Sequence, residues 1–390
     1  MTTNSPAFRQ SFAQLIAAPS VSSSEATRDM SNRGVIDLLA HWLEGAGFSV
    51  EVLPVPDAPG KFNLVAASGR GEGGLVLSGH TDTVPYDEDA WDSDPFELSE
   101  RDGRLYGLGT SDMKCFFPMV LEALREIETG RLRRPLVVLA TADEETNMAG
   151  ARSLAESGRR LGRFALIGEP TGLRPIRMHK GILMETIRLT GRSGHASDPS
   201  LGNNAMEGMH AVMSALMAWR ARMQEEMRNA DFAVPYPTLN FGRIQGGDNA
   251  NRICASCELS VDLRTLPGME LQSQRAALRG IAEQAVAGSG LEVTFDSLLH
   301  GVPALDTPAD SEIVRSAERF TGAESGTVAF GTEGPYLNAM GMQSVVLGAG
   351  DIDQAHQANE YLACERIEPM VRILSNMIGH FCLEENGHDR

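Results

Sequence analysis

Short apolar runs punctuate the chain, and several stop at a glycine or a charged residue. Phe8, Phe12, Leu15 and Ile16 recur at helical spacing and predict an amphipathic helix over 5–18; Val35, Ile36, Leu39 and Leu43 predict a second over 32–46. Residues 48–52 alternate like a strand, and 63–67 and 75–78 read as two more. The run Gly69-Arg70-Gly71-Glu72-Gly73-Gly74 between the last two fits G-x-G-x-x-G. It joins strand to strand, so a hairpin turn is expected there rather than a dinucleotide fingerprint. A hairpin turning at Asp102-Gly103 is expected in 98–107, a helix over 116–129, an unbroken apolar strand over 135–141, a helix over 149–156 and a strand over 164–167.

From Gly181 the rhythm changes. Strands are expected at 182–189, 239–244, 257–263 and 291–297, with long helices over 205–226 and 271–287. Strand–helix–strand–strand–helix–strand is a compact α+β unit of the split βαβ type with an antiparallel sheet. After Thr307 an αβ pattern returns: a helix through Val314 and Ala317, a strand at 344–347 and a C-terminal helix over 364–382. The expectation is an α/β domain formed by 1–180 and 299–390, interrupted by an inserted α+β domain over 181–298.

Composition excludes more than it assigns. With 390 residues, 42% hydrophobic and 22% charged, the chain has ample core for a globular protein, and its net charge of −18 lacks the basic face a nucleic-acid partner needs. No apolar run approaches the roughly 20 residues of a membrane helix. Residues 1–22 lack a basic start and an apolar signal core, so a cytoplasmic protein is expected. Five scattered cysteines imply no disulfide framework, and Cys254-x-x-Cys257 has no second pair to complete a zinc site.

Candidate chemistry gathers at strand ends. Leu75-Val76-Leu77-Ser78-Gly79 leads into His80 and Asp82, the 135–141 run into Glu144-Glu145, the 164–167 run into Glu169, and the 344–350 segment into His356; Asp112 precedes a helix. In open α/β sheets, sites collect at the carboxyl ends of the strands. Two histidines and several carboxylates brought to one edge are what a two-metal site requires, with a position left for water. Adjacent strand residues face opposite sides, so one of Glu144 and Glu145 could ligate while the other stays free as a general base.

Gly79-His80-Thr81-Asp82-Thr83-Val84-Pro85, Gly109-Thr110-Ser111-Asp112-Met113-Lys114, Asp143-Glu144-Glu145 and Gly168-Glu169-Pro170-Thr171 resemble the M20 family of metallopeptidases and deacylases. The likeness covers essentially the whole chain. It extends through Ser193-Gly194-His195, Asn251-Arg252-Ile253, Asp262-Leu263-Arg264 and Gly331-Thr332-Glu333-Gly334-Pro335 to members that deacetylate an N-acetylated amino acid. Cys115 departs from the family pattern, which has Gly after Asp-Met-Lys.

The resemblance implies a zinc-peptidase-like catalytic domain with a central mixed sheet flanked by helices, and an inserted ferredoxin-like domain that makes a homodimer. It implies two divalent metal ions, zinc foremost and cobalt as the alternative. Asp112 would bridge them, His80 and Glu169 would bind one, and Glu145 and His356 the other. Asp82 would hydrogen-bond His80 and fix its tautomer. Glu144 would move the proton from water to the leaving amine, and His195, reaching a second protomer's site, would steady the oxyanion. Arg264, with Asn251 nearby, would hold the substrate carboxylate through its planar fork. Glu333 is expected to set substrate choice, since a carboxylate there could read a substrate ammonium.

The expected activity is therefore metal-dependent hydrolysis of N2-acetyl-L-ornithine to L-ornithine and acetate, in arginine biosynthesis. Rivals inside the family are a succinyl-diaminopimelate desuccinylase, a general N-acyl amino acid hydrolase or a dipeptidase. A rival outside catalysis is a metal-binding scaffold on the same fold.

Overall fold

A computed structural model describes residues 5–383, and they divide into two compact units. The first runs to Arg177, resumes over Thr307–Gly326 and continues from Thr332; the second is Met178–Asp306 with Thr327–Gly331. Against the expected boundaries of 180 and 299, the first crossing falls at Arg177 and the return at Thr307.

The first unit is built on a mixed sheet. In order across it lie Ser49–Pro54, Phe62–Ser68, Leu136–Thr141, Leu75–His80, Phe164–Ile167 and Gln343–Val346. The last four are mutually parallel, whereas Phe62–Ser68 runs antiparallel to Leu136–Thr141. Every residue of Leu75–His80 and of Leu136–Thr141 is buried, as expected for central strands covered on both faces. Leu75 and Leu77, Leu136 and Val138, and Phe164 and Leu166 enter one core with the helices Pro6–Ile16, Arg33–Gly45, Phe116–Leu124, Glu312–Thr321 and Ile367–Ile378.

Two expectations change here. The glycine run is not a hairpin turn, because Leu136–Thr141 lies between the strands it joins. The loop crosses the incoming end of that strand instead. A Cβ on Gly74 would fall 1.9 Å from the Pro135 carbonyl oxygen, at a φ of +82° that already favours glycine. The helix after Asp112 spans Phe116–Leu124 and ends short of Thr129, where polar Arg125 and Glu126 interrupt its apolar stripe. The Asp102-Gly103 turn does close a hairpin between Ser99–Arg101 and Arg104–Tyr106, with both turn residues at positive φ.

In the second unit, Thr238–Gly246, Ser256–Thr265, Gly181–Thr190 and Glu292–Ser297 form an antiparallel sheet in that order. Ala205–Glu226 and Leu271–Ala285 pack on it around Leu183, Ile187, Leu189, Leu216, Leu259 and Leu278. In chain order, the second and third strands, Thr238–Gly246 and Ser256–Thr265, form a hairpin beside the first, Gly181–Thr190, and the fourth returns to the first strand's other side, which is the split βαβ arrangement.

Candidate active site

Four neighbouring parallel strands present their carboxyl ends to one edge. His80 pairs with Thr141, so those two strands end level, and Ile167 pairs with Ser78, two residues short of that end. The next residues out are Asp82, Glu144, Glu145 and Glu169. Gly348 lets the fourth strand come close: a Cβ there would sit 2.2 Å from the Gly168 carbonyl oxygen.

His80 is 1% exposed, with Nε2 3.0 Å from Asp112 Oδ1 and 3.7 Å from Glu169 Oε2. His356, at φ +59°, brings its Nε2 to 3.0 Å from Glu145 Oε2 and 3.6 Å from Asp112 Oδ2. Asp112 thus turns one oxygen to each histidine. Donor atoms of His80, Asp112 and Glu145 lie within 4.8 Å of one another, as do those of His80, Glu144 and Glu169.

Asp82 departs from expectation. Its carboxylate is 3.7 Å from His80 Nδ1, which donates instead to the Asp82 main-chain oxygen at 3.0 Å. The two carboxylate oxygens accept the backbone N–H groups of Glu144 and Glu145, at 3.2 and 3.1 Å. Asp82 therefore orients the imidazole through its backbone and the Glu144-Glu145 segment through its side chain. That segment is a turn rather than a strand, entered through Asp143 at φ +63°. The two glutamates still diverge, Glu145 toward His356 and Glu144 toward His80 and Glu169. Lys61 holds the turn from behind, 3.0 Å from Asp143 Oδ1 and 2.7 Å from Asp29 Oδ1.

Packing so many carboxylates together changes their chemistry. Burial, and then the charge of Glu169, push Glu144 well above the usual carboxylate range. Burial and Asp112 do the same to Glu145, and burial raises Glu169 to about 7. Burial by itself would lower His80, but Glu169 and Asp112 hold it well above the usual histidine range. Carboxylates that resist ionising side by side form a site in want of positive charge. Two buried oxygens there, Glu145 Oε1 and Glu169 Oε1, have no hydrogen-bond partner, as ligand atoms awaiting a cation would. Imidazole and carboxylate donors suit zinc or a similar divalent ion, so the residues fit a metal pair.

The expectation for Glu333 changes. It is 1% exposed and lies under the strand ends, where its carboxylate accepts hydrogen bonds from the hydroxyls of Ser78 and, at 2.7 Å, Thr141. An ammonium would have to displace those hydroxyls to reach it. Sequence reasoning missed Glu360, a buried carboxylate that accepts three backbone N–H groups around Asp112.

His195, Asn251 and Arg264 belong to the second unit. His195 is exposed, shares a β-bridge with Arg252, and keeps Nδ1 2.7 Å from the Ser197 hydroxyl. The Asn251 main-chain oxygen accepts from Ala196, so these two segments run side by side. Arg264 directs Nε and Nη2 at the Asp262 carboxylate, at 2.8 and 2.9 Å.

Residues 76–380 match Peptidase family M20/M25/M40. The chain is 48% identical over 385 residues to the acetylornithine deacetylase of Proteus mirabilis, covering 99% of both chains. It is 47% identical to the acetylornithine deacetylase of Photorhabdus laumondii, covering 99% of this chain and all of the relative. Among solved structures, a tripeptidase from Staphylococcus aureus superposes with a TM-score of 0.75 at 20% identity, over 96% of this chain and 98% of that one. A dinuclear metal-binding peptidase of the M20 family from Bacillus subtilis gives 0.64 at 16% identity, over 95% and 96%.

Proposed function

The chain belongs to peptidase family M20/M25/M40, and on that premise we propose that it hydrolyses the acetyl amide of N2-acetyl-L-ornithine, releasing L-ornithine and acetate. Full-length similarity to acetylornithine deacetylases supports the substrate. The observation that carries the chemistry is Glu144: it stands among the candidate ligands His80 and Glu169, with its carboxylate oxygen within 4.8 Å of theirs.

Two divalent cations, when bound, polarise the acyl carbonyl and activate the attacking water. His80, Asp112 and Glu169 would hold one; Asp112, Glu145 and His356 the other. Zinc is the proposed native ion, with cobalt as an alternative that the same donors accept. Glu144 takes the proton that water loses as its oxygen attacks the acyl carbon, and returns it to the leaving nitrogen as the C–N bond breaks, so the amine departs neutral. Asp82 fixes His80 and the Glu144-Glu145 turn in place for both transfers. His195 is proposed to donate to the developing oxyanion, and Arg264, with Asn251, to bind the substrate carboxylate.

A homodimer is proposed from the family resemblance, and a cytoplasmic location is proposed alongside it. Among the described residues, no helix is long and apolar enough to cross a membrane. Size-exclusion chromatography with light scattering tests the dimer.

The substrate is tested by stripping the protein of metal, restoring zinc or cobalt, and offering N2-acetyl-ornithine beside succinyl-diaminopimelate, acetyl-methionine and a dipeptide. Metal-dependent preference for acetyl-ornithine by orders of magnitude is expected. Preference for another of the four would keep the chemistry and overturn the substrate.

A further inference from the structure

Glu360 stands four residues beyond His356, immediately before the strand Tyr361–Ala363, and is 2% exposed. That strand pairs antiparallel with Arg104–Tyr106, which leads directly into the loop that presents Asp112. Glu360 Oε1 accepts the backbone N–H groups of Ser111 at 2.6 Å and Asp112 at 2.9 Å, and Oε2 accepts that of Gly109 at 2.8 Å. Its main-chain oxygen accepts the Gly107 N–H at 3.2 Å. Successive N–H groups converging in a turn make a concavity for an anion. Here the chain's own carboxylate fills it.

The turn requires glycine at 109, where φ is +87° and a Cβ would approach Thr83 Cγ2 and the Lys114 side chain to about 3 Å. A second tie joins the same two segments: the Ser111 hydroxyl donates to the Asp351 carbonyl at 3.0 Å and accepts the Asp351 N–H at 2.7 Å. Neither tie touches a side-chain atom of the ligand set. Their shared effect is to fix the backbone from which Asp112 reaches His80 on one side and His356 on the other.

We propose that Glu360 is a positioning residue that sets the spacing of the metal pair by gripping the backbone of the bridging Asp112 and tying it to the segment carrying His356. This rests on the reading of Asp112 as the bridging ligand. The grip needs both carboxylate oxygens, since three donors converge on them. Gln keeps the volume but turns an amide N–H toward at least one of those donors. Asp keeps the charge but is one methylene short.

The test uses the full chain, stripped of metal and titrated with cobalt against a fluorescent chelator, with the cobalt absorption spectrum recorded at saturation. Glu360→Gln should weaken cobalt binding about 10–100-fold, the range for residues that orient metal ligands. Its saturated spectrum should be altered, and kcat should fall with little change in KM. Glu360→Asp should lie between Gln and the native residue, and carries the test if the Gln variant does not fold. Glu185→Gln is the control: it removes an equally buried carboxylate that pairs with Arg275 and Arg279 in the second unit, and should lower stability while leaving cobalt affinity unchanged. Native cobalt affinity and spectrum in Glu360→Gln would overturn the proposal and leave the metal site standing. A native chain that takes up no cobalt would overturn the metal reading and this inference with it.

Discussion

The hydroxyl of Thr141 donates to Glu333 at 2.7 Å, which ties a carboxylate buried under the site to the strand that leads into Glu144. Ser78, on the strand that ends in His80, donates to the other oxygen. Glu333 therefore links two strands that deliver the chemistry. Glu333→Ala leaves two buried hydroxyls without this acceptor, each at a cost of about 1–3 kcal/mol, readable as a lowered denaturation midpoint. In Glu333→Gln, the ratio of kcat/KM for acetyl-ornithine to that for acetyl-methionine should stay unchanged. A loss confined to the aminated substrate would restore ammonium recognition.

Lys61 is 3% exposed and lies between Asp29 and Asp143. Burial would lower its proton affinity, but the two carboxylates outweigh it and hold the ammonium above the usual lysine range. A group raised in the folded state contributes stability below its unfolded pKa, and that contribution is lost as pH rises through the folded value. The loss thus falls in the alkaline range above about 10.4. Lys61→Met strands two carboxylates and should cost about 3–5 kcal/mol at neutral pH. It should also flatten the alkaline limb of the stability profile, as urea titrations across pH would reveal. An unchanged limb would mean that the pair does not govern it.

Asp82→Asn keeps shape but offers one oxygen where two accept the N–H groups of Glu144 and Glu145. The turn should loosen, and metal affinity should fall about 10–100-fold by chelator competition. Unaltered affinity with reduced turnover would move Asp82 from metal positioning to the chemistry itself.

Local pattern and global topology were unequally legible in the chain. The strand ends could be read because each buried run is mainly apolar and stops at a polar residue or a glycine; Ala205–Glu226 falls on its expected bounds because a long periodic stretch carries its own phase. The glycine run misled because its meaning depends on Leu136–Thr141, a strand that enters the sheet some sixty residues later and separates its neighbours. Glu360 carries no local signal: a single glutamate before a short strand becomes informative only when its donors, 248 to 251 residues away, are placed around it. The Asp82 contact failed for a related reason, since two nearby backbone donors outcompete an imidazole at 3.7 Å.

Removing the metals should destabilise the first unit, because the clustered carboxylates then face one another without the cations. At metal concentrations 100-fold above the dissociation constant, one bound ion stabilises by about 2.7 kcal/mol. Thermal melts with chelator and with excess zinc should separate accordingly, and coincident melts would argue against the site.

The most direct measurement is made on Glu144→Gln, with metal content and turnover of N2-acetyl-ornithine determined on one sample. Glu144 is assigned the proton transfers and no indispensable ligand, so the variant should retain its metals and lose about 10²–10⁴-fold in kcat. Full metal with native turnover would contradict Glu144 as the general base. Lost metal with lost turnover would make Glu144 a ligand and send the search for the base elsewhere in the site.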